Sequence, residues 1–129
     1  MTKVSKKVLI ITDGTDSIQS IAQLISAAIS EYKGKICTAQ DFTGTDILPA
    51  DIFFIGCEEK SPPSFSYLEE MLSHINLASR KCGIFSVNEK SIEYLRAITE
   101  DSEACTNSLL LEKYKINKKD IEKWVKGLI

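Results

Sequence analysis

The chain has 129 residues, a length typical of one domain with its own hydrophobic core. Hydrophobic residues at 43%, charged residues at 26% and a net charge of −2 give no reason to expect a nucleic acid or an anionic membrane as a partner. The apolar runs are too short for a signal peptide or a membrane span, so we expect a single cytoplasmic domain over residues 1–129. The oligomeric state stays open.

The first elements are a strand and a helix joined by a polar turn. The apolar run Lys7–Thr12 predicts the first strand, and an apolar stripe at helical spacing predicts a helix over Ser17–Tyr32. Asp16 and Gln19 have the spacing of a capping box, and Gly34 marks the end of the helix. A parallel strand that delivers a polar loop to a helix in this way is typical of ligand sites in open α/β proteins.

Two further strands follow. Lys35–Gln40 predicts the second strand, and a connection without a helix runs through Gly44 and Pro49. The third strand, Asp51–Gly56, is apolar along its core, so we expect it to be buried on both faces.

The second half of the chain repeats the alternation of helix and strand. Pro62 and Pro63 break the chain before a helix that begins at Ser66. The remaining predicted elements are a strand over Lys81–Val87, a helix carrying Ile92, Leu95 and Ile98, a strand over Cys105–Glu112, and a closing helix from Asn117. This order predicts a parallel sheet between two layers of helices.

The four cysteines, Cys37, Cys57, Cys82 and Cys105, lie 20 to 25 residues apart. Zinc sites and redox dithiols need closely spaced pairs, so we predict neither. Cys37 and Cys82 belong to predicted strands and are interpreted as small buried hydrophobes. Cys57 lies just past a strand end, either as an inert thiol or exposed near a site.

Other polar residues give weaker signals. His74 is the only histidine and has no metal-binding or catalytic partners near it in the sequence, so we predict that it lies on the surface. A group of lysines near the C-terminus predicts the solvated face of the last helix and its approach or, alternatively, a docking patch for an acidic partner: Lys113, Lys115, Lys118, Lys119, Lys123 and Lys126.

The start of the chain, Lys6–Asp13, resembles a response-regulator receiver domain. A receiver needs an acidic pair after strand one, a phosphate-accepting Asp at the end of strand three and a Lys at the end of strand five. Here the pair is Thr12 and Asp13, strand three ends in Gly56, and only Lys113 fits. The chemistry of a receiver is therefore excluded.

Three other segments resemble the flavodoxin family. Asp46–Cys57 is similar to that family's entry into strand three, Leu77–Ser86 to its fourth strand and Asp120–Leu128 to its closing helix. The resemblance implies a flavodoxin-like three-layer α/β/α sandwich with a five-stranded parallel sheet in the order 2-1-3-4-5. It also implies an FMN cofactor and one-electron transfer to a redox partner protein, rather than classical enzyme activity.

The resemblance implies that the loop after strand one binds the FMN phosphate through a Thr/Ser-x-Thr-Gly-x-Thr pattern. Alignment places Thr15, Asp16, Ser17 and Ile18 on its last four positions, with Thr12 as a further hydroxyl donor. Asp16 thus stands where the family has Gly, and Ile18 replaces a hydroxyl.

Two negative charges, Asp13 and Asp16, therefore flank the single Gly14 in this loop. A carboxylate close to a phosphate costs on the order of 1 to 4 kcal/mol. Asp16 is interpreted as the N-cap of the helix, which takes the amides that a phosphate needs. The alternative is a retained but weakened phosphate loop with Thr12, Thr15 and Ser17 as donors.

In the family, two more loops hold the flavin ring. Within Cys57–Tyr67, Phe65 is either an aromatic that flanks the isoalloxazine or a hydrophobic staple at the helix entry, and the polar residues 58–60 predict a solvated rim. Ser86 and Asn88 belong to the third loop, where Asn88 alternatively caps the next helix. Two hypotheses result: an FMN-binding electron carrier, or a flavodoxin-fold module that has lost FMN and binds a protein or small ligand.

Overall fold

The computed structural model describes residues 7–30, 32–43, 47, 50–74, 81–100, 103–104 and 108–128. The strands within these residues are β1 (Lys7–Thr12), β2 (Lys33–Thr38), β3 (Ile52–Gly56), β4 (Lys81–Ser86), β5 (Glu103–Ala104) and β6 (Leu109–Leu110). The helices are α1 (Asp16–Ala28), α2 (Ser66–His74, preceded by a 3₁₀ turn at Pro63–Phe65), α3 (Glu89–Ile98) and α4 (Lys118–Leu128). No helix in the described part of the chain has the length and apolarity needed to cross a membrane.

The strands form one parallel sheet in the order β2-β1-β3-β4-β5, with β6 also paired to β4. In register, Ile10 of β1 lies between Ile36 of β2 and Phe54 of β3. The predicted order 2-1-3-4-5 and the flavodoxin-like architecture are therefore confirmed.

The sheet buries both of its faces. Leu9 and Ile11 of β1 pack in a core that includes Leu68 of α2 and Leu95 of α3. The alternate residues of the same strand, Val8 and Ile10, pack on the other face in a core with α1 and α4. Successive side chains of a strand point to opposite faces of the sheet. Because helices cover both faces, the side chains on both sides of β1 have to be mostly apolar, which explains its continuous apolar run.

The boundaries of the first helix and second strand differ from the sequence prediction. Helix α1 ends at Ala28 rather than at Tyr32. Ile29 is the residue that caps it, and its backbone N–H donates to the carbonyls of Ile25 and Ser26. Strand β2 begins at Lys33, so Gly34 lies inside a strand and is not a helix stop. The start of β2 is set by its pairing with β1, which begins at Lys7 and Lys33. The local sequence around Gly34 does not show where this pairing begins.

Of the described residues in the predicted fifth strand, Cys105–Glu112, only Leu109–Leu110 (β6) form a strand, and β5 lies before the predicted range. The place of the fifth strand in the sheet is taken by the short segments β5 and β6, both parallel to β4, while residues 105–107 lie outside the described part. In the connection predicted to lack a helix, residues 44–46 and 48–49, including Gly44 and Pro49, lie outside the described residues, and the described Ile47 is helical, contrary to the prediction.

Candidate functional site

The loops that follow β1, β3, β4 and β6 meet at the carboxyl edge of the sheet. These loops are residues 13–15, 57–62, 87–88 and 111–117. In open α/β sheets, ligands bind at this edge, outside the carboxyl ends of the strands. The predicted site residues lie in these loops, at the ends of the adjoining strands, in the first turn of α1 or in the turn before α2.

Asp13 joins the first loop to the second. Its Oδ1 atom accepts hydrogen bonds from the Thr15 backbone N–H at 3.0 Å and from the Thr15 hydroxyl at 2.6 Å. Its Oδ2 atom accepts the backbone N–H of Glu58 at 2.7 Å. Hydrogen bonds to a carboxylate are stronger than those between neutral groups. Asp13 is therefore a brace that holds the two loops together, a role that the sequence did not reveal.

Thr12 and Gly14 shape the turn beneath this brace. Gly14 has φ +83°, a conformation that suits glycine, and its N–H donates to the Thr12 hydroxyl at 3.3 Å. The Thr12 hydroxyl in turn donates to Gln19 Oε1 at 3.0 Å, and the Thr12 side chain is buried. In this arrangement the Thr12 hydroxyl supports the loop from below, and its role as a phosphate donor stays a prediction.

The interpretation of Asp16 as the N-cap of α1 is wrong. Thr15 is the N-cap residue, with extended backbone angles, and its side chain makes no capping hydrogen bond. Asp16 is the first helical residue and is exposed. The expected capping box is not formed, because Gln19 accepts from Thr12 instead. The turn made by Asp13 with Thr15 fixes the start of the helix, so the loop depends on Asp13 rather than on Asp16.

Glu58 places a second carboxylate at the first turn of α1. Its Oε1 atom lies 2.5 Å from the Lys113 ammonium nitrogen, and its Oε2 atom accepts from the Ser17 hydroxyl at 3.3 Å. The hydrogen bond with Lys113 lowers the pKa of Glu58 and raises the pKa of Lys113, so both groups are charged at neutral pH. A negative charge at a helix N-terminus is also favoured by the helix dipole.

The sequence missed this ion pair. The sequence places Glu58 on a solvated rim and Lys113 on the solvated face of the last helix or its approach; Lys113 does lie on that approach, but it pairs with Glu58. The available signal was that both residues follow strands that end at the same edge of the sheet.

The third loop supports the second from the side of β4. The buried Ser86 hydroxyl donates to the Cys57 carbonyl at 2.5 Å and accepts the Asn88 N–H at 3.1 Å. The Ser91 hydroxyl donates to the Glu58 carbonyl at 3.0 Å. Asn88 caps α3 by accepting from the Lys90 N–H at 3.0 Å, which confirms the capping interpretation. These polar groups hold the loops in place.

Cys57 and Phe65 are both buried. Burial raises the pKa of the Cys57 thiol to about 12, and the negative charge of Asp13 adds to this effect. Cys57 is therefore a neutral thiol in the core, in agreement with the inert interpretation; Cys37 and Cys82 are buried as predicted, and His74 is exposed as predicted.

The Phe65 ring is 0% exposed and lies 6.3 Å from the Tyr94 ring. The buried ring exposes no face to the surface, as expected of a hydrophobic staple at the helix entry, and its role beside an isoalloxazine stays a prediction. The apolar side chain is taken into the core at the entry of α2. The exposed aromatic groups are Tyr67 on α2 and Tyr114, which is 91% exposed beside Lys113.

Two open cavities adjoin the Glu58–Lys113 pair. The larger, of about 440 Å³, is lined by Glu58, Glu59, Val87, Asn88, Glu89 and Lys113. The smaller, of about 290 Å³, is lined by Asp16, Ser17, Ser20, Lys113, Tyr114 and Ile116. Lys113 lines both cavities, so the ion pair lies where they meet. The described residues contain no cluster of three His, Cys, Asp or Glu side chains that could hold a metal ion.

The structure is similar to several solved flavodoxins. A flavodoxin from Streptococcus pneumonia TIGR4 superimposes with a TM-score of 0.80 at 14% identity, covering 96% of this chain and 97% of that one. Flavodoxin 2 from Bacillus cereus gives a TM-score of 0.77 at 18% identity, with 95% and 94% covered. A Fusobacterium nucleatum flavodoxin bound to flavin mononucleotide gives 0.74 at 11% identity, with 96% of each chain covered.

No family model and no curated protein sequence matches the chain. At these identities the structural likeness shows the fold and not the activity. The chain therefore has a flavodoxin-like fold, which covers nearly its whole length.

Proposed function

We propose that this protein binds FMN at the carboxyl edge of the sheet and carries single electrons. The proposal rests on one observation in this flavodoxin-like fold. A cavity of about 440 Å³ lies beside a group of hydroxyl and ammonium donors at the start of α1. A cavity of this volume is within the range found for small-molecule sites.

The donors at the start of α1 have the chemistry that a phosphate needs. The Thr15 and Ser17 hydroxyls and the Lys113 ammonium lie around the first turn of this helix, where the dipole and the backbone N–H groups favour an anion. Each of these side-chain groups is now engaged by a carboxylate of the chain itself, Asp13 or Glu58. We infer that the Ser17 hydroxyl and the Lys113 ammonium hold the phosphate once the Glu58 carboxylate is displaced, while Thr15 stays bonded to Asp13.

The larger cavity supplies the surface for the flavin ring. Val87 and Asn88 line it from the third loop, and Glu58 and Glu59 line it from the second. Phe65 is buried, so we assign no stacking role to it. The bound FMN would accept and release electrons one at a time, and the protein would hold it at the exposed edge of the sheet.

An electron carrier needs a partner protein. We propose that the partner approaches over the loop after β6, where the exposed Tyr114 ring borders Lys113 at the smaller cavity. Lysines 115, 118 and 119 extend the positive charge of this region, which favours an acidic partner surface.

Titration with FMN tests the proposal. We expect the purified protein to show flavin absorbance, or the apoprotein to quench FMN fluorescence in a saturable manner at micromolar concentration. Ser17→Ala should weaken binding by several fold, because it removes a donor at the start of α1, while Ser73→Ala on α2 should leave it unchanged. A colourless protein that does not respond to excess FMN contradicts the proposal.

A further inference from the structure

The Glu58 carboxylate occupies the position that an external anion would take. It is bonded to the Ser17 hydroxyl in the first turn of α1 and paired with the Lys113 ammonium. Ser17 is only 6% exposed, so its hydroxyl has little access to water as an alternative partner. A carboxylate from a distant loop, 41 residues along the chain, thus satisfies donors that otherwise need a ligand or solvent.

Lys113 is the cation for which Glu58 and an incoming phosphate would compete. Among the described residues that line the two cavities, Lys113 is the only positively charged one. Four carboxylates line the same cavities: Asp16, Glu58, Glu59 and Glu89. An anionic ligand therefore meets a negative site unless it gains Lys113, and Lys113 is held by Glu58.

We propose that Glu58 is an internal competitor of the FMN phosphate and determines how strongly the site distinguishes FMN from riboflavin. The inference depends on the proposed flavin site. FMN has to displace the Glu58 carboxylate from Lys113 and Ser17, whereas riboflavin, which has no phosphate, leaves the ion pair in place. The competition lowers FMN affinity selectively, because two anions share one ammonium group.

Binding of FMN and riboflavin to matched variants tests this competition. Glu58→Gln keeps the side-chain shape and removes the charge, and it should raise FMN affinity about tenfold at moderate ionic strength. Riboflavin affinity should stay unchanged. Glu70→Gln is the control, because it makes the same change of charge at an exposed residue of α2 that lines neither cavity. This control should change FMN affinity by less than about twofold.

The outcomes separate the inference from the proposed function. An unchanged ratio of FMN to riboflavin affinity in Glu58→Gln overturns the inference while leaving flavin binding intact. Equal gains for both flavins also overturn it, because the charge would then act on the ring rather than on the phosphate. If neither flavin binds the native protein or any variant, the proposed function is contradicted. The inference, which depends on it, is then contradicted as well.

A second variant covers the case in which Glu58→Gln does not fold, as judged by its thermal unfolding curve. Glu58→Asp keeps the charge but withdraws the carboxylate by one methylene from Lys113 and Ser17. It should raise FMN affinity several fold and leave riboflavin unaffected. No change in FMN affinity for a folded Glu58→Asp protein contradicts the inference.

Discussion

Two carboxylates in the same loop, Asp13 and Asp16, have different roles although they are three residues apart. Asp13 is partly buried and accepts three hydrogen bonds from Thr15 and Glu58. Asp16 is exposed at the first position of α1, where it gains only the modest benefit of the helix dipole. The difference follows from position, because only Asp13 faces the neighbouring loop after β3.

This difference predicts unequal effects on stability. Asp13→Asn should lower the free energy of unfolding by about 1.5 to 3 kcal/mol, because it removes the charge that accepts three hydrogen bonds and turns an amide donor toward one of them. Asp16→Asn should cost less than about 1 kcal/mol. Urea denaturation of both variants measures the two values. Equal losses in the two proteins would show that Asp13 does not brace the loops.

The sequence predicted the region of the site but not its connections. It predicted a ligand loop at residues 12–17, which stays a prediction, and a helix cap at Asn88, which is confirmed. It could not place the Glu58–Lys113 pair, because the two residues are far apart in the chain and meet only when β3 and β6 join one sheet. It also chose Asp16 as the cap, since spacing alone cannot show which carboxylate turns inward.

At the scale of elements, burial on both faces made some strands easy to predict. Strands β1, β3 and β4 were predicted to within one residue at each end, because each is a continuous apolar run between the two cores. The end of α1 was less accurate, because its apolar stripe continues to Ile29 and Tyr32, which pack on the same core beyond the helix. The fifth strand was placed correctly in the sheet, but its predicted bounds missed β5, because only Leu109–Leu111 form an apolar run and β5 precedes the polar residues 106–108.

Strand β4 also contains a close approach that fixes how the core packs. A Cβ atom on Gly83 would lie 2.5 Å from Cδ1 of Phe54 and 3.0 Å from Cδ1 of Leu128. Phe54 is fully buried and its ring meets Trp124 edge to face, so it has little room to move. The absence of a side chain at Gly83 therefore allows α4 to pack on the sheet.

Two glycine substitutions test this packing in opposite directions. Gly83→Ala should destabilise the protein by about 1 to 3 kcal/mol through overpacking. Gly127→Ala, in α4 with no atom near the added methyl group, should be neutral or stabilising by up to about 1 kcal/mol, since alanine favours a helix. Thermal unfolding of the two variants measures both changes in stability. A Gly83→Ala protein as stable as the native one would mean that the core rearranges to accept the added methyl group.

At the scale of the whole molecule, the fold and the site give different kinds of information. The sheet order, the two cores and the superposition on known flavodoxins establish the architecture. At the carboxyl edge, Asp13 engages the Thr15 hydroxyl, and Glu58 engages the Ser17 hydroxyl and the Lys113 ammonium. The flavin site proposed above would combine this architecture with internal carboxylate partners for its donors.

The central claim is that FMN binds at this edge with its phosphate at the start of α1. The most direct measurement is the change in backbone amide NMR signals of ¹⁵N-labelled protein during titration with FMN. We predict saturable shifts at Thr15, Ser17, Glu58 and Asn88, with Ser73 and Lys126 unchanged. Signals that stay constant at excess FMN, or that move only away from the carboxyl edge, would contradict the account.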